Sequence, residues 1–228
     1  MGCALKGGWG LYERLALGAV LLAAGEGRRM GGVTKPLIRL QGVPLIRRLL
    51  VALSGAGVDE VVVVTGYCHE AVEAAIVDFP VTVIYNADYA AGQQGSVRCG
   101  LEALSSTLDG VMIVLADQPL IGAEDLKELI AAFKKRPAGH VVVPMVEGQR
   151  GNPILLDNFA REEILRSGLN LGCRHLIEHH PELVHLHQTA NRRFVTDLDS
   201  PEDIETLAAR TGWRFTLPPV DEHAVALS

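Results

Sequence analysis

The sequence carries no excess of positive charge, no long apolar run and no paired cysteines. Each absence removes a class of function. A formal net charge of −6 leaves no general basic face, so nucleic acid is not an expected partner. No stretch reaches the ~18 consecutive apolar residues of a membrane span, so no membrane partner is expected either. The first 17 residues mix Lys6, Glu13 and Arg14 with glycines and hold no sustained apolar segment before a small-residue cleavage site. They do not read as a secretory signal. Cys3, Cys68, Cys99 and Cys173 are scattered without a C-x-x-C pair. That argues against a zinc site or a disulfide framework and fits a reducing, cytoplasmic setting. Internal repeats, low-complexity segments and a clear linker are also missing.

What is present is a chain of 228 residues, 48% hydrophobic and 21% charged, which suits one ordered domain with a core. Apolar runs at Ala19–Ala23, Val61–Thr65, Val81–Tyr85, Val111–Leu115 and Val141–Met145 read as strands. Leu45–Leu53, Ser96–Leu104 and Glu124–Lys135 have helical spacing between them. The alternation predicts a single-domain, Rossmann-like α/β fold, a mostly parallel sheet with helices on both faces. In the less regular second half, Asp157–Arg166, Cys173–His179 and Pro201–Ala209 read as helices, and Leu183–His187 and Phe194–Asp197 as strands. Residues 1–15 are expected to be an N-terminal extension, 16–212 the domain, and 213–228 a tail, loose or packed as an arm.

Ligands of such sheets bind beyond the carboxyl ends of the strands. After the first strand comes Leu22-Ala23-Ala24-Gly25-Glu26-Gly27-Arg28-Arg29-Met30-Gly31-Gly32-Val33-Thr34-Lys35-Pro36. Glycines at 25, 27, 31 and 32 let backbone N–H groups approach an anion, and Arg28, Arg29 and Lys35 add cations, which is the chemistry a triphosphate needs. A P-loop is excluded because no Gly-Lys-Ser/Thr occurs, and a dinucleotide fingerprint fails at Met30, where its third glycine would stand. Asp117 follows the apolar run of the fourth strand. A carboxylate there is costly unless solvated, paired or bound to metal, and Mg²⁺ takes one or two carboxylates plus water and phosphate oxygens.

These motifs, with Ala91-Gly92-Gln93-Gln94-Gly95-Ser96-Val97-Arg98, Ala116-Asp117-Gln118-Pro119, Arg150-Gly151-Asn152-Pro153-Ile154-Leu155 and Val195-Thr196-Asp197-Leu198-Asp199-Ser200-Pro201-Glu202-Asp203, occur in one order. Together they resemble the MobA/MocA-like nucleotidyltransferases, closest to molybdenum cofactor cytidylyltransferase, over roughly residues 18–208. The resemblance implies a Mg²⁺-dependent transfer of CMP from CTP to a phosphorylated acceptor of the molybdopterin type, with release of pyrophosphate. It implies a nucleotide site at Leu22, Ala23, Ala24, Gly25, Gly27, Arg28, Gly31, Gly95 and Ser96. Lys35 and Arg29 would hold the triphosphate, with Asp117 and Asp199 as metal ligands and Asp197 the competitor of Asp199. Arg150, Asn152 and Arg174 would meet the acceptor, and a molybdoenzyme or its chaperone would be the protein partner. Two features point elsewhere. The spacing from Met30 to Lys35 is that of the guanylyl branch, and Asn152 stands where the cytidylyl branch has histidine. Transfer of GMP, transfer of a nucleotide to a sugar phosphate, and a nucleotide-sensing module without turnover are the alternative readings. His175 and His179 lie one helical turn apart, with His180 beside them, and read as a polar face rather than a metal site.

Overall fold

The computed structural model describes residues 14–167 and 179–219. The runs rich in valine and leucine form strands, as β-branched side chains favour. They are β1 (Leu17–Ala23), β4 (Glu60–Thr65), β5 (Thr82–Tyr85), β6 (Gly110–Leu115), β7 (Val141–Val146) and β10 (Val184–Gln188). Two short strands join them, β8 (Gln149–Arg150) and β9 (Ile154–Asp157). The sheet order is β10-β7-β9-β6-β1-β4-β5, with β8 paired to β7. Pairings of β1 with β4 and β6, of β4 with β5, and of β7 with β10 are parallel, whereas β9 runs antiparallel to both β6 and β7. The sheet is therefore mostly parallel, with one reversed strand in its interior.

Alternation along β1 explains why the sheet needs helices on both faces. Ala19, Leu21 and Ala23 join a core with α1 (Leu45–Gly55), α2 (His69–Ala74) and α4 (Ala123–Lys135). Val20 and Leu22 join a second core with α3 (Gln93–Ala103) and α5 (Asn158–Ser167). A third cluster lies outside the sheet. Met30, Val33, Ile38, Leu40, Leu45, Leu198 and Leu207 pack together under a small antiparallel sheet of β2 (Arg39–Leu40), β3 (Val43–Pro44) and β11 (Phe215–Thr216). Leu207 belongs to α6 (Pro201–Thr211).

One expectation fails and one boundary shifts. Phe194–Asp197 is not a strand, because Arg192–Val195 forms a 3₁₀ turn started by the Asn191 side chain, which accepts from the Arg193 N–H. The Phe194 carbonyl meets the Asn152 N–H at 2.9 Å and the Gln118 amide at 3.3 Å, so it serves a loop and not a ladder. The helix expected from Ser96 begins at Gln93, which puts Ser96 within its first turn. Phe215–Thr216, inside the expected tail, pairs with Arg39–Leu40. Most of the helix expected over Cys173–His179 and the segment from 220 to 228 lie outside the described residues.

Candidate active site

Sheet order reverses at β1, whose neighbours β4 and β6 lead away in opposite directions, and the crevice at that point is where a ligand fits. A cleft of about 520 Å³ opens there at the carboxyl ends of β1 and β6. It is lined by Leu22 through Arg29, Lys35, Pro36, Tyr89, Ala90, Gly92, Gln93, Ser96, Leu115, Ala116, Asp117, Asp197 and Asp199.

Buried residues hold the loop after β1. Met30, where a dinucleotide loop would carry glycine, is 4% exposed and packs with Val33 and Leu198 in the third cluster. Gly27 lies at φ +60°, and a Cβ there would strike the Val33 carbonyl, so this turn requires glycine. Gly25 differs: a Cβ would meet nothing within 4 Å and would project from a residue that lines the cleft. Its missing side chain leaves room for a ligand. Gly31, at φ +66°, ends the 3₁₀ turn Arg28–Met30 and does not line the cleft.

Leu198 brings the opposite wall to this loop. It is fully buried, with the aspartates on either side of it both lining the cleft. Its N–H donates to the Asp117 carbonyl at 3.0 Å, which pins the 197–199 segment to the end of β6. Asp199 is tied to α6 through its own backbone: its N–H donates to the Asp203 carboxylate at 2.9 Å. Gln118, 2% exposed, ties the same loop to the Asn152 carbonyl at 3.0 Å.

Lys35 is the centre of charge. Its Nζ lies 3.1 Å from Asp117 Oδ2 and 2.7 Å from Asp199 Oδ1, and Arg29 Nη2 lies 2.9 Å from Asp199 Oδ2. Burial lowers the Lys35 ammonium, but Asp117 and Asp199 outweigh it and hold it above the ordinary lysine range. Burial pushes the Asp117 carboxyl up despite Lys35. Asp197 is pushed up by desolvation and by the charges of Asp199 and Asp117. Arg28 pairs with Glu26.

Leu22, Ala23, Ala24, Gly25, Gly27, Arg28, Arg29, Lys35, Ser96, Asp117 and Asp199 therefore converge on one cleft, and Gly31 and Gly95 do not line it. Gly95 sits in the first turn of α3, close to Asn86. Arg150 and Asn152 also lie off the lining. Asn152 uses its backbone to tie Phe194 and Gln118, while Arg150 keeps a buried Nη1 without a protein partner. Arg174 and His175 lie outside the described residues. His180 pairs with Glu182 at 3.5 Å, and among the described residues no group of three or more His, Cys, Asp or Glu forms a metal cluster. Tyr89 and Gln93, which line the cleft, were given no role by the sequence and enter only through the fold.

Two carboxylates converging on one cation suit a hard divalent ion. Asp117 Oδ1 is buried and has no hydrogen-bond partner, an orphan that a metal or its water would satisfy. The cleft sets Glu26, Asp117, Asp197 and Asp199 against Arg28, Arg29 and Lys35, so alone it would repel a triphosphate. The donor set fits Mg²⁺, which needs few carboxylates and keeps water or phosphate oxygens.

Known proteins fall in line with this geometry. The family model described as "MobA-like NTP transferase domain" matches residues 19–184. A "Bifunctional protein GlmU" of Sorangium cellulosum is 28% identical over 200 residues, which is 80% of this chain and 37% of that protein. The chain thus spans under two-fifths of the length of that relative. A "Nicotine blue oxidoreductase" of Paenarthrobacter nicotinovorans is 27% identical over 194 residues, covering 82% of this chain and 94% of that one. The crystal structure of Rv0371c from Mycobacterium tuberculosis H37Rv superposes with a TM-score of 0.71 at 23% identity, covering 86% of this chain and 98% of that one. A manganese complex of the same protein superposes at 0.67, with 22% identity and coverage of 84% and 97%.

Proposed function

Because the chain belongs to the MobA-like NTP transferase family, we propose that it transfers CMP from CTP to a phosphorylated small molecule of the molybdopterin type and releases pyrophosphate. One observation carries the reading: Lys35 gathers Asp117 and Asp199 opposite a glycine-rich cationic loop at the switch point of the sheet.

Each residue has work that its position suits. The backbone of Ala23, Ala24 and Gly25 would face the nucleoside, with Leu22 and Ser96 lining the same cleft. The first turn of α3, opening at Gly92 and Gln93, directs its free N–H groups and positive dipole end at the cleft. Lys35 and Arg29 turn from the carboxylates to the triphosphate as it arrives. Asp117 and Asp199 would hold Mg²⁺, which supplies charge neutralisation at the phosphates. A structural relative has been crystallised as a complex with manganese, which supports the use of a divalent ion. The acceptor's phosphate oxygen attacks the α-phosphorus in line. It is already ionised at neutral pH, so no general base is required. Arg150, off the cleft lining but with a buried Nη1 that has no protein partner, is the candidate for the acceptor's phosphate.

Ala24 supports cytosine. It is 7% exposed, and its methyl stands where the guanylyl branch has glycine. The spacing up to Lys35 favours GMP transfer instead, but it sets the phosphate end of the site and not the base. The relative whose printed name is an oxidoreductase shows that family membership alone does not fix the reaction. A pyrophosphate-release screen crossing four NTPs with several phosphorylated acceptors tests the proposal. Release with CTP and a pterin phosphate supports it. Preferred use of GTP moves the chain to the guanylyl reading, and binding without release leaves a sensor.

A further inference from the structure

Asn86 follows β5 and is 6% exposed, yet it does not line the cleft. Its N–H donates to the Thr65 carbonyl at 2.9 Å, which fixes it to the end of β4. Its Oδ1 accepts from the Asp88 N–H at 3.0 Å. A backbone N–H can only donate, so this bond settles which end of the amide is oxygen. The other end, Nδ2, then faces Ser96 Oγ at 3.0 Å and must donate to it. The serine oxygen is an acceptor in this bond, so its own proton points elsewhere. Ser96 is 3% exposed, lines the cleft beside Ala24 and Leu115, and finds no acceptor for that proton among the described residues.

We propose that Asn86 is a positioning residue that fixes Ser96 as a hydrogen-bond donor into the cleft and so selects a nucleobase by its acceptor edge. The inference rests on the reading that the cleft holds a nucleotide. Both pyrimidines offer O2 as an acceptor, so the selection is made at ring N3, which accepts in cytosine but carries a hydrogen in uracil that opposes a donor. A site that presents a donor against a base lacking the matching acceptor rejects it strongly, because a buried polar group is left unpaired. The signal is a chain of three bonds, Asp88 N–H to Asn86 to Ser96 to ligand, whose polarity is set at its backbone end.

The test is equilibrium titration of CTP and UTP with Mg²⁺, acceptor absent, against wild type, Asn86→Asp, Ser96→Ala and the double variant. Asn86→Asp keeps the acceptor for Asp88 and replaces the donor by an oxygen, so Ser96 must turn its proton back. Wild type should bind CTP at least tenfold tighter than UTP. Asn86→Asp should lose most of that ratio, and should cost nothing further once Ser96 is alanine. Should the buried charge prevent folding, Asn86→Ala frees the hydroxyl without one, and its thermal melt checks the fold. It should lower the CTP/UTP ratio several-fold, again only when Ser96 is present. A ratio unchanged by both Asn86 variants but lost in Ser96→Ala overturns the role of Asn86 and leaves the nucleotide site standing. Wild-type protein that binds neither CTP nor UTP overturns this inference, and a parallel titration in which GTP and ATP also fail to bind overturns the nucleotide assignment with it.

Discussion

Lys35 faces two carboxylates at hydrogen-bond distance, so it competes with any cation for the same oxygens. Lys35→Ala should therefore act in two directions. Loss of its charge-assisted contact to the triphosphate should cost about 1.5–3 kcal/mol, ten- to a hundredfold in kcat/KM. Removal of the competing ammonium should leave Mn²⁺ binding in the absence of nucleotide at least as tight as in wild type. Metal titration followed by electron paramagnetic resonance reads the second effect, and much weaker Mn²⁺ binding would show that Lys35 builds the metal site. Gly25 makes a separate prediction. The Cβ added by Gly25→Ala would meet no protein atom within 4 Å, so the melting temperature should hold while CTP affinity falls. A variant that binds CTP normally would move the nucleotide away from this loop. At this scale Lys35, Asp117 and Asp199 were legible, because cations among glycines and a carboxylate after an apolar strand have few cheaper explanations. Asn86 and Tyr89 were not legible. Both follow a short, mostly exposed strand; Asn86 reaches the site only through Ser96, and Tyr89 lines the cleft only because the fold brings it there.

At the scale of elements, α6 is what presents Asp199. Ser200 caps the helix and Asp203 closes a reciprocal capping box, its carboxylate taking the N–H of Ser200 at 2.7 Å as well as that of Asp199. Burial raises the Asp203 carboxyl, but the Ser200 N–H and hydroxyl and the Asp199 N–H outweigh it and hold it below the ordinary range. A depressed carboxyl stabilises the fold above its ordinary range and loses that contribution as pH falls through its folded value. Asp203→Ala should cost about 1 kcal/mol at neutral pH, and the difference from wild type should shrink in acid below the ordinary aspartate range. Denaturant unfolding at several pH values measures it, and a difference that grows in acid would contradict the assignment. The helix itself was readable from Ser200-Pro201-Glu202-Asp203, whose order is a helix start. The segment before it was misread as a strand, since Phe194 and Val195 suggested strand pairing, while Asn191 and the Gln118 amide take the backbone bonds a strand would need.

The whole molecule is two cores on either side of a sheet, plus a third cluster that carries the site. Met30 from the loop after β1 and Leu198 from the loop before α6 meet in that cluster, which is why segments nearly 170 residues apart in sequence share one cleft. The parallel half of the sheet was legible because strands buried on both faces read as unbroken apolar runs. The reversed β9 and the two-residue strands of the small sheet were not, since such short pairings are decided by what packs on them. The central claim is that the carboxylates held by Lys35 are the reaction centre of nucleotidyl transfer. Movement of label from CTP carrying radioactive α-phosphate into the acceptor, compared between wild type, Asp117→Ala, Asp199→Ala and Asp197→Ala, tests it most directly. The Asp117 and Asp199 variants should fold and lose about a hundredfold or more in rate, and Asp197→Ala should lose much less. Label transfer by Asp117→Ala at a rate near that of wild type would contradict it.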